Sequence, residues 1–223
     1  MKKVITAIIF VGLFYSSIFA QEAEEKKEEV DLSGKFALMF QVGSNFSLRT
    51  FEGSTISAKY QISNVSSVRF SLSTNFFGDD TKQDAIRADT LYSKLDEERN
   101  FSNLDLSIYY LQKLRSFDDI GFYVGVGPFV RLKNTFTKLN ETQPEMQFEG
   151  TDINNSYGVS FIVGVEWFVK KNISFLAEYS SSYFYSTSQD YQPSTSYTYS
   201  WNTKSSEWAF SSNGAKIGLS LYF

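Results

Sequence analysis

The stretch Gly214-Ala-Lys-Ile-Gly-Leu-Ser-Leu-Tyr-Phe223 alternates with a period of two. Ile217, Leu219, Leu221 and Phe223 share one parity, and Lys216, Gly218, Ser220 and Tyr222 share the other. Successive side chains of a β-strand point to opposite faces, so this reads as a strand with one apolar face and one small or polar face. The pattern predicts the closing strand of a transmembrane β-barrel. Ile217, Leu219, Leu221 and Phe223 would face lipid, and Lys216 would enter the lumen, where Glu166 or Glu178 would meet it.

Seven earlier stretches repeat the alternation. They fall at about 33–45, 54–63, 67–77, 101–114, 120–133, 156–169 and 173–187, and the eighth strand spans about 207–223. Strands two and three, four and five, and six and seven are joined by turn-forming runs such as Asn64-Val-Ser66 and Lys170-Lys-Asn172. The other connections, 78–100, 134–155 and 188–206, are long. Long structureless loops argue against a compact soluble domain. Short turns on one side and long loops on the other suit an outer-membrane barrel. The expected fold is therefore all-β: an eight-stranded antiparallel up-and-down transmembrane β-barrel over 33–223. An even strand number puts both termini on the periplasmic side.

The second parity decides which face is outside. It is rich in Gly and Ser, including Ser57, Ser71, Gly125, Gly127, Gly164, Ser174 and Gly218. Such residues are poor on a solvated strand but fit the crowded interior of a small barrel. The same parity carries Lys59, Arg69, Asp105, Arg131, Glu166, Glu178 and Lys216. Charges sealed in a lumen are costly unless paired, and four cations against three anions are nearly balanced. A packed lumen charge network is expected, with a polar conduction path as the alternative.

The N-terminus has the layout of a secretory signal peptide: Lys2 and Lys3, an apolar core from Val4 to Phe14, and Ala20 before Gln21. Residues 1–20 are read as that signal and the charged run 21–32 as a flexible lead-in. Removing the leader takes Lys+Arg from 21 to 19 against 25 Asp+Glu, a net charge of −6. That acidic balance gives nucleic-acid binding no footprint. The chain has no cysteine, which excludes disulfides, thiolate metal sites and a lipoprotein anchor. It has no histidine, which removes the commonest general base and metal ligand.

Phe122-Tyr-Val-Gly-Val-Gly127, Gly164-Val-Glu-Trp167, Leu176-Ala-Glu-Tyr179 and the terminal Phe223 occur in that order. Together they resemble the small OmpA/OmpX-like outer-membrane β-barrel family, over residues 33–223. The resemblance implies that Phe223 and its strand are the signal read by the barrel-assembly machinery. It implies no catalytic site, and it matches the form without a helical peptidoglycan-binding domain after the barrel. Enzymatic outer-membrane barrels, such as lipid A deacylases, phospholipases and surface proteases, resemble one another in relying on a histidine base. An enzyme of those types is not expected here, and neither is a cofactor or a metal. Asp152-Ile-Asn-Asn155 lacks the glycine and distal glutamate of a calcium loop.

Function would then rest on the loops. Ala85, Ala88, Tyr92 and Leu95 have helical spacing, so 79–99 is read as a short amphipathic helix or as an acidic loop. Tyr183, Tyr185 and Trp208 suit a membrane-interface girdle, while Tyr197, Tyr199 and Trp201 lie mid-loop as contact candidates. The expected role is a non-enzymatic barrel of a Gram-negative-type outer membrane. It would serve envelope structure or surface interaction, with lipid or lipopolysaccharide around it and a surface ligand at its loops. A narrow porin-like pore for ions or small polar solutes is the first alternative, and a soluble lipocalin-like carrier the second.

Overall fold

The computed structural model describes residues 31–44, 46–47, 52–87, 90–142, 145–192 and 201–223, excepting the side chains of 83–87, 90–95, 139–142, 145–148, 192 and 201. The expected signal segment 1–20, the lead-in up to residue 30, and Tyr197 and Tyr199 lie outside the described residues. The strands are β1 Phe36–Gly43, β2 Ser54–Gln61, β3 Ser66–Arg87, β4 Thr90–Phe117, β5 Ile120–Thr142, β6 Glu145–Lys170, β7 Ile173–Gln192 and β8 Trp201–Tyr222. Each pairs antiparallel with the next, and β8 returns to β1 to close the ring. This is an eight-stranded up-and-down transmembrane β-barrel.

The alternation sorts the two faces as the quoted strand predicts. Phe36, Leu38, Phe70, Ile108, Phe161, Val163, Phe175 and Ile217 stand exposed on the outside. Ser57, Lys59, Arg69, Ser160, Ser174, Glu178 and Ser220 are buried within. Aromatic pairs mark the two ends of the apolar band. Phe36–Tyr60 (4.7 Å between ring centroids) and Trp167–Phe175 (6.2 Å) lie toward the short turns. Tyr183–Trp208 (5.4 Å) and Tyr157–Tyr185 (5.4 Å) lie toward the far end. Such paired belts are what a bilayer's two interfaces select.

The expected long loops are corrected by the structure. β3 to β8 run 20 to 28 residues each, whereas about 9–11 residues suffice to cross a bilayer. The surplus continues as paired strand beyond the aromatic belt. In the segment expected as an amphipathic helix or loop, 79–99, the described residues 79–87 and 90–99 are instead the upper parts of β3 and β4, while Ala88 lies outside the described residues. Among the described side chains, two opposite-charge pairs face each other across these strands, Asp79 with Arg99 and Lys82 with Asp96, against one like-charge pair, Asp80 with Glu98. The opposite-charge pairs favour the ladder over a helix. Likewise 134–142 belongs to β5 and 145–155 to β6, and Trp201 begins β8 opposite Gln192 rather than sitting mid-loop. Because β1 and β2 have only 8 residues each, the wall does not continue above them among the described residues. The upper parts of β3 and β8 are thus its two edges.

Glycines make room in the lumen by register. Leu111 on β4, Gly125 on β5 and Ile162 on β6 are lateral neighbours. A Cβ on Gly125 would collide with Leu111 Cδ2, so the leucine lies over the glycine and packs with Ile162, Tyr109 and Tyr123. Gly218 similarly makes room for Gln41, whose Cγ would be 2.7 Å from an added Cβ. Gly214 does something different. It sits in the left-handed region at φ +80°, where β7 pairing jumps from Ser180–Gly214 to Ser181–Ser212. This glycine bulge shifts the parity of β8 by one. Below it Lys216 and Ser220 point inward; above it Trp208 and Phe210, on the same even parity, point outward.

The chain entering β1 stoppers the lower end. Leu32, placed in the lead-in by the sequence reading, is buried at 5% exposure and lines the lower lumen with Lys59, Leu111 and Tyr123. Its amide donates to Asn64 Oδ1 at 3.1 Å, and the Gly34 amide to the Gln61 carbonyl at 2.9 Å.

Candidate functional site

Two carboxylates organise the lumen. Glu166 on β6 accepts from Lys59 Nζ of β2 at 2.9 and 3.2 Å, from Ser174 of β7 at 2.6 Å and from Tyr222 of β8 at 2.7 Å. Glu178 on β7 accepts from Arg69 of β3, from Tyr123 of β5 at 2.5 Å and from Gln41 of β1 at 2.6 Å. Between them these acids tie seven of the eight strands. The eighth, β4, enters through Tyr109, whose ring lies 5.0 Å from the Arg69 guanidinium. Lys59 likewise sits over the Tyr222 ring at 4.9 Å.

All four charges are deeply buried: Lys59 4%, Arg69 2%, Glu166 7% and Glu178 7% exposed. Removing an ion from water costs several kcal/mol even after relaxation, on the order of what a close partner and extra hydrogen bonds return. Here each carboxylate has three donor residues and each cation an aromatic face. The charges are held in place by a filled hydrogen-bond shell rather than by the ion pair alone.

The remaining predicted network residues lie higher. Arg131 Nε donates to Asp105 Oδ1 at 2.8 Å, with both side chains about one-third exposed (33% and 28%). Lys216 does enter the lumen, opposite Glu178 in register. Its ammonium nevertheless donates to Thr55 Oγ1 at 2.8 Å. The expected partners are already engaged, Glu178 by Arg69, Tyr123 and Gln41, and Glu166 by Lys59, Ser174 and Tyr222. The structure thus groups the seven predicted charges as two buried pairs, one upper pair and one lysine on a hydroxyl.

Sequence reasoning placed Ser174 and Tyr222 on the lumen parity but gave no site role to them or to Gln41, Tyr109 and Tyr123, the neutral half of this site. The signal was present, because Tyr123 and Tyr222 share the Gly/Ser parity of their strands. A large residue among small ones on a lumen face must extend across the space they leave. Phe223 projects outward at 75% exposure while its amide donates to the Phe36 carbonyl at 2.9 Å. Asp152 and Asn155 lie within β6, and no group of metal-ligating side chains occurs among the described residues.

Two small cavities remain inside. A lower one of about 40 Å³ lies between Leu32, Lys59, Glu166 and Tyr123, and an upper one of about 70 Å³ between Arg69, Asp105, Arg131, Glu178 and Lys216. The Tyr123–Glu178–Arg69 layer stands between them. Each has room for only a few waters.

No protein-family model and no curated protein sequence matches the chain. Solved structures do. A major outer membrane protein from Thermus thermophilus is 15% identical, with 85% of this chain and 99% of that one covered and a TM-score of 0.50. The outer membrane protein AlkL is 13% identical over 91% and 96%, with a TM-score of 0.44. Ail, the attachment invasion locus protein of Yersinia pestis, is 10% identical over 86% and 99%, with a TM-score of 0.34. Of these three, the Thermus protein bears on architecture, and at that identity it bears on nothing else. The ring of eight strands, its outward apolar band and that likeness agree: the chain has the fold of the small eight-stranded outer-membrane β-barrels.

Proposed function

We propose that the protein is a closed, non-enzymatic outer-membrane barrel that serves envelope structure and surface contact, with both termini periplasmic. The observation that carries this reading is the lumen floor, where two buried ion pairs with their neutral donors tie seven strands and the Tyr109 ring over Arg69 brings in the eighth. A conduction path would have to part Lys59 from Glu166 and Arg69 from Glu178, leaving charges buried without partners. Lipid and lipopolysaccharide would surround the apolar band, and the barrel-assembly machinery would read the outward Phe223.

Contact with a surface ligand falls to the projecting wall of β3–β8 rather than to loops. It carries polar pairs such as Ser188–Ser205 (2.7 Å) and Lys138–Glu149 (3.5 Å) beside exposed Phe76, Phe77 and Tyr191, a mixture that suits a recognition surface. The absence of histidine from the chain and the locked state of both lumen acids support a non-enzymatic role.

The test reconstitutes the full chain into planar bilayers and liposomes. No discrete conductance steps and no solute-dependent swelling are expected. Stable, large single-channel steps would overturn the closed-barrel reading in favour of a narrow pore. Deleting the upper hairpin 79–98 should leave heat-modifiable gel migration intact while abolishing attachment of cells displaying the protein to host-matrix or cell-surface preparations.

A further inference from the structure

The upper cavity is a blind cup at the wall end of the lumen. Its lining carries three cations, Arg69, Arg131 and Lys216, and two carboxylates, Asp105 and Glu178. Both acids are already held, Glu178 by Arg69 and Asp105 by Arg131. One positive charge is left over. It is that of Lys216, which among the described residues makes no ion pair and donates to Thr55 at 2.8 Å.

A second unsatisfied donor belongs to a residue of the cup's lining, Arg69. Arg69 is nearly fully buried, and its Nε–H has no hydrogen-bond acceptor among the described residues. Native structures seldom leave a buried donor of this kind unsatisfied without a ligand, water or ion to meet it. Arg131 reaches Asp105 through Nε, so its terminal amino groups stand outside that bond. An ammonium and two guanidinium groups therefore converge on one small polar space. Guanidinium forks match the geometry of tetrahedral oxyanions and give charge-assisted hydrogen bonds to them.

We propose that this cup binds a small inorganic oxyanion of the phosphate class, held between Lys216, Arg131 and the Arg69 Nε–H. The ring of strands separates the cup from the surrounding bilayer, so the ligand is a free anion arriving from the wall end, not a lipid headgroup. The floor below makes the site one of binding, not passage. This goes beyond the role assigned above, because a closed contact barrel needs no lumen ligand.

The test uses the full chain refolded in a maltoside detergent, which contributes no phosphate. Inorganic phosphate is titrated while its phosphorus resonance is followed for saturable broadening. Saturable binding is expected for the native chain. It should be lost in Lys216→Gln and retained in Lys216→Arg, with heat-modifiable migration showing that each variant folds. Asp105→Asn removes a repelling carboxylate at a position only 28% exposed and should tighten binding by roughly tenfold. That variant serves equally if Lys216→Gln does not fold. No saturable binding in the native chain, unchanged binding in folded Lys216→Gln, weaker binding in Asp105→Asn, or equal displacement by chloride would each overturn the proposal.

Discussion

Tyr123 on β5 reaches Glu178 on β7 by lying across Gly164, the residue between them on β6. A Cβ on Gly164 would stand 2.6 Å from the Tyr123 hydroxyl and inside its ring contact. The glycine is therefore part of the ion-pair layer although it carries no side chain. Gly164→Ala should push Tyr123 off Glu178 and cost about 1–3 kcal/mol, as overpacking does in a filled interior. Gly121→Ala should cost little, because its Cβ would first meet the flexible end of Lys113 at 3.2 Å. Urea unfolding of the two variants in lipid vesicles separates them.

Removing one partner of a buried pair leaves the other uncompensated. Glu178→Ala should lower stability by about 3–5 kcal/mol, whereas Arg69→Met with Glu178→Leu should cost less than the two single changes added together. Bilayer conductance should stay near zero in every one of these variants, since Leu111, Ile162 and Tyr109 still fill the layer. Thermal melts followed by gel mobility give the first comparison and single-channel recording the second.

The apolar band predicts a depth-dependent response to charge. Val163 is 62% exposed on the outer face of β6 near the middle of the band. Val163→Arg should cost about 2–4 kcal/mol, and Ser205→Arg in the projecting wall close to nothing. Equal tolerance at both positions in a vesicle refolding assay would show that the band does not lie in lipid.

At the bulge, Gly214 holds a conformation that side-chain-bearing residues avoid. Gly214→Ala should cost about 1–2 kcal/mol through left-handed backbone strain. The loss should be accompanied by a change in Trp208 fluorescence, because the bulge is what turns Trp208 and Phe210 toward the membrane interface.

Phe223 offers a separation of assembly from stability. Its ring is exposed and its one described tie is the amide bond to Phe36. Deleting it should leave refolding into detergent nearly unchanged while reducing membrane insertion in cells by an order of magnitude or so, on the order of 1.4 kcal/mol in apparent assembly free energy. Equal insertion of the shortened chain, measured by surface protease accessibility, would remove the assembly-signal reading.

How much of this was legible in the sequence differs by level. Period-two alternation is local, so Ile217 through Phe223 declared their faces, and the same pattern elsewhere set the strand number and the membrane-facing surface. Lys59, Arg69, Glu166 and Glu178 could be assigned to the lumen by parity alone. Who meets whom could not, because lateral neighbours depend on register across strands far apart in the chain. Tyr123, Gly164 and Glu178 come together only once β5, β6 and β7 are aligned. The wall escaped detection for another reason. In 79–99 both strand faces are polar, so the alternation that reports burial is absent, and the Ala85–Leu95 spacing imitates a helix. The Gly214 bulge was hidden because it changes parity within one strand.

The shortness of β1 and β2 also sets an order of events in time. Hairpins such as β3–β4 close between residues near in sequence, but the β1–β8 seam joins Ala37 to Tyr222 and Gly43 to Lys216. Bringing such distant segments together carries the largest loop-closure entropy in the molecule, and β1 offers only 8 residues to recover it. Loop-closure entropy therefore favours completing the ring last at this seam. Until it does, Gln41 of β1 is not at Glu178 of β7 and Lys59 of β2 is not at Glu166 of β6, so the charged floor locks only when the ring closes.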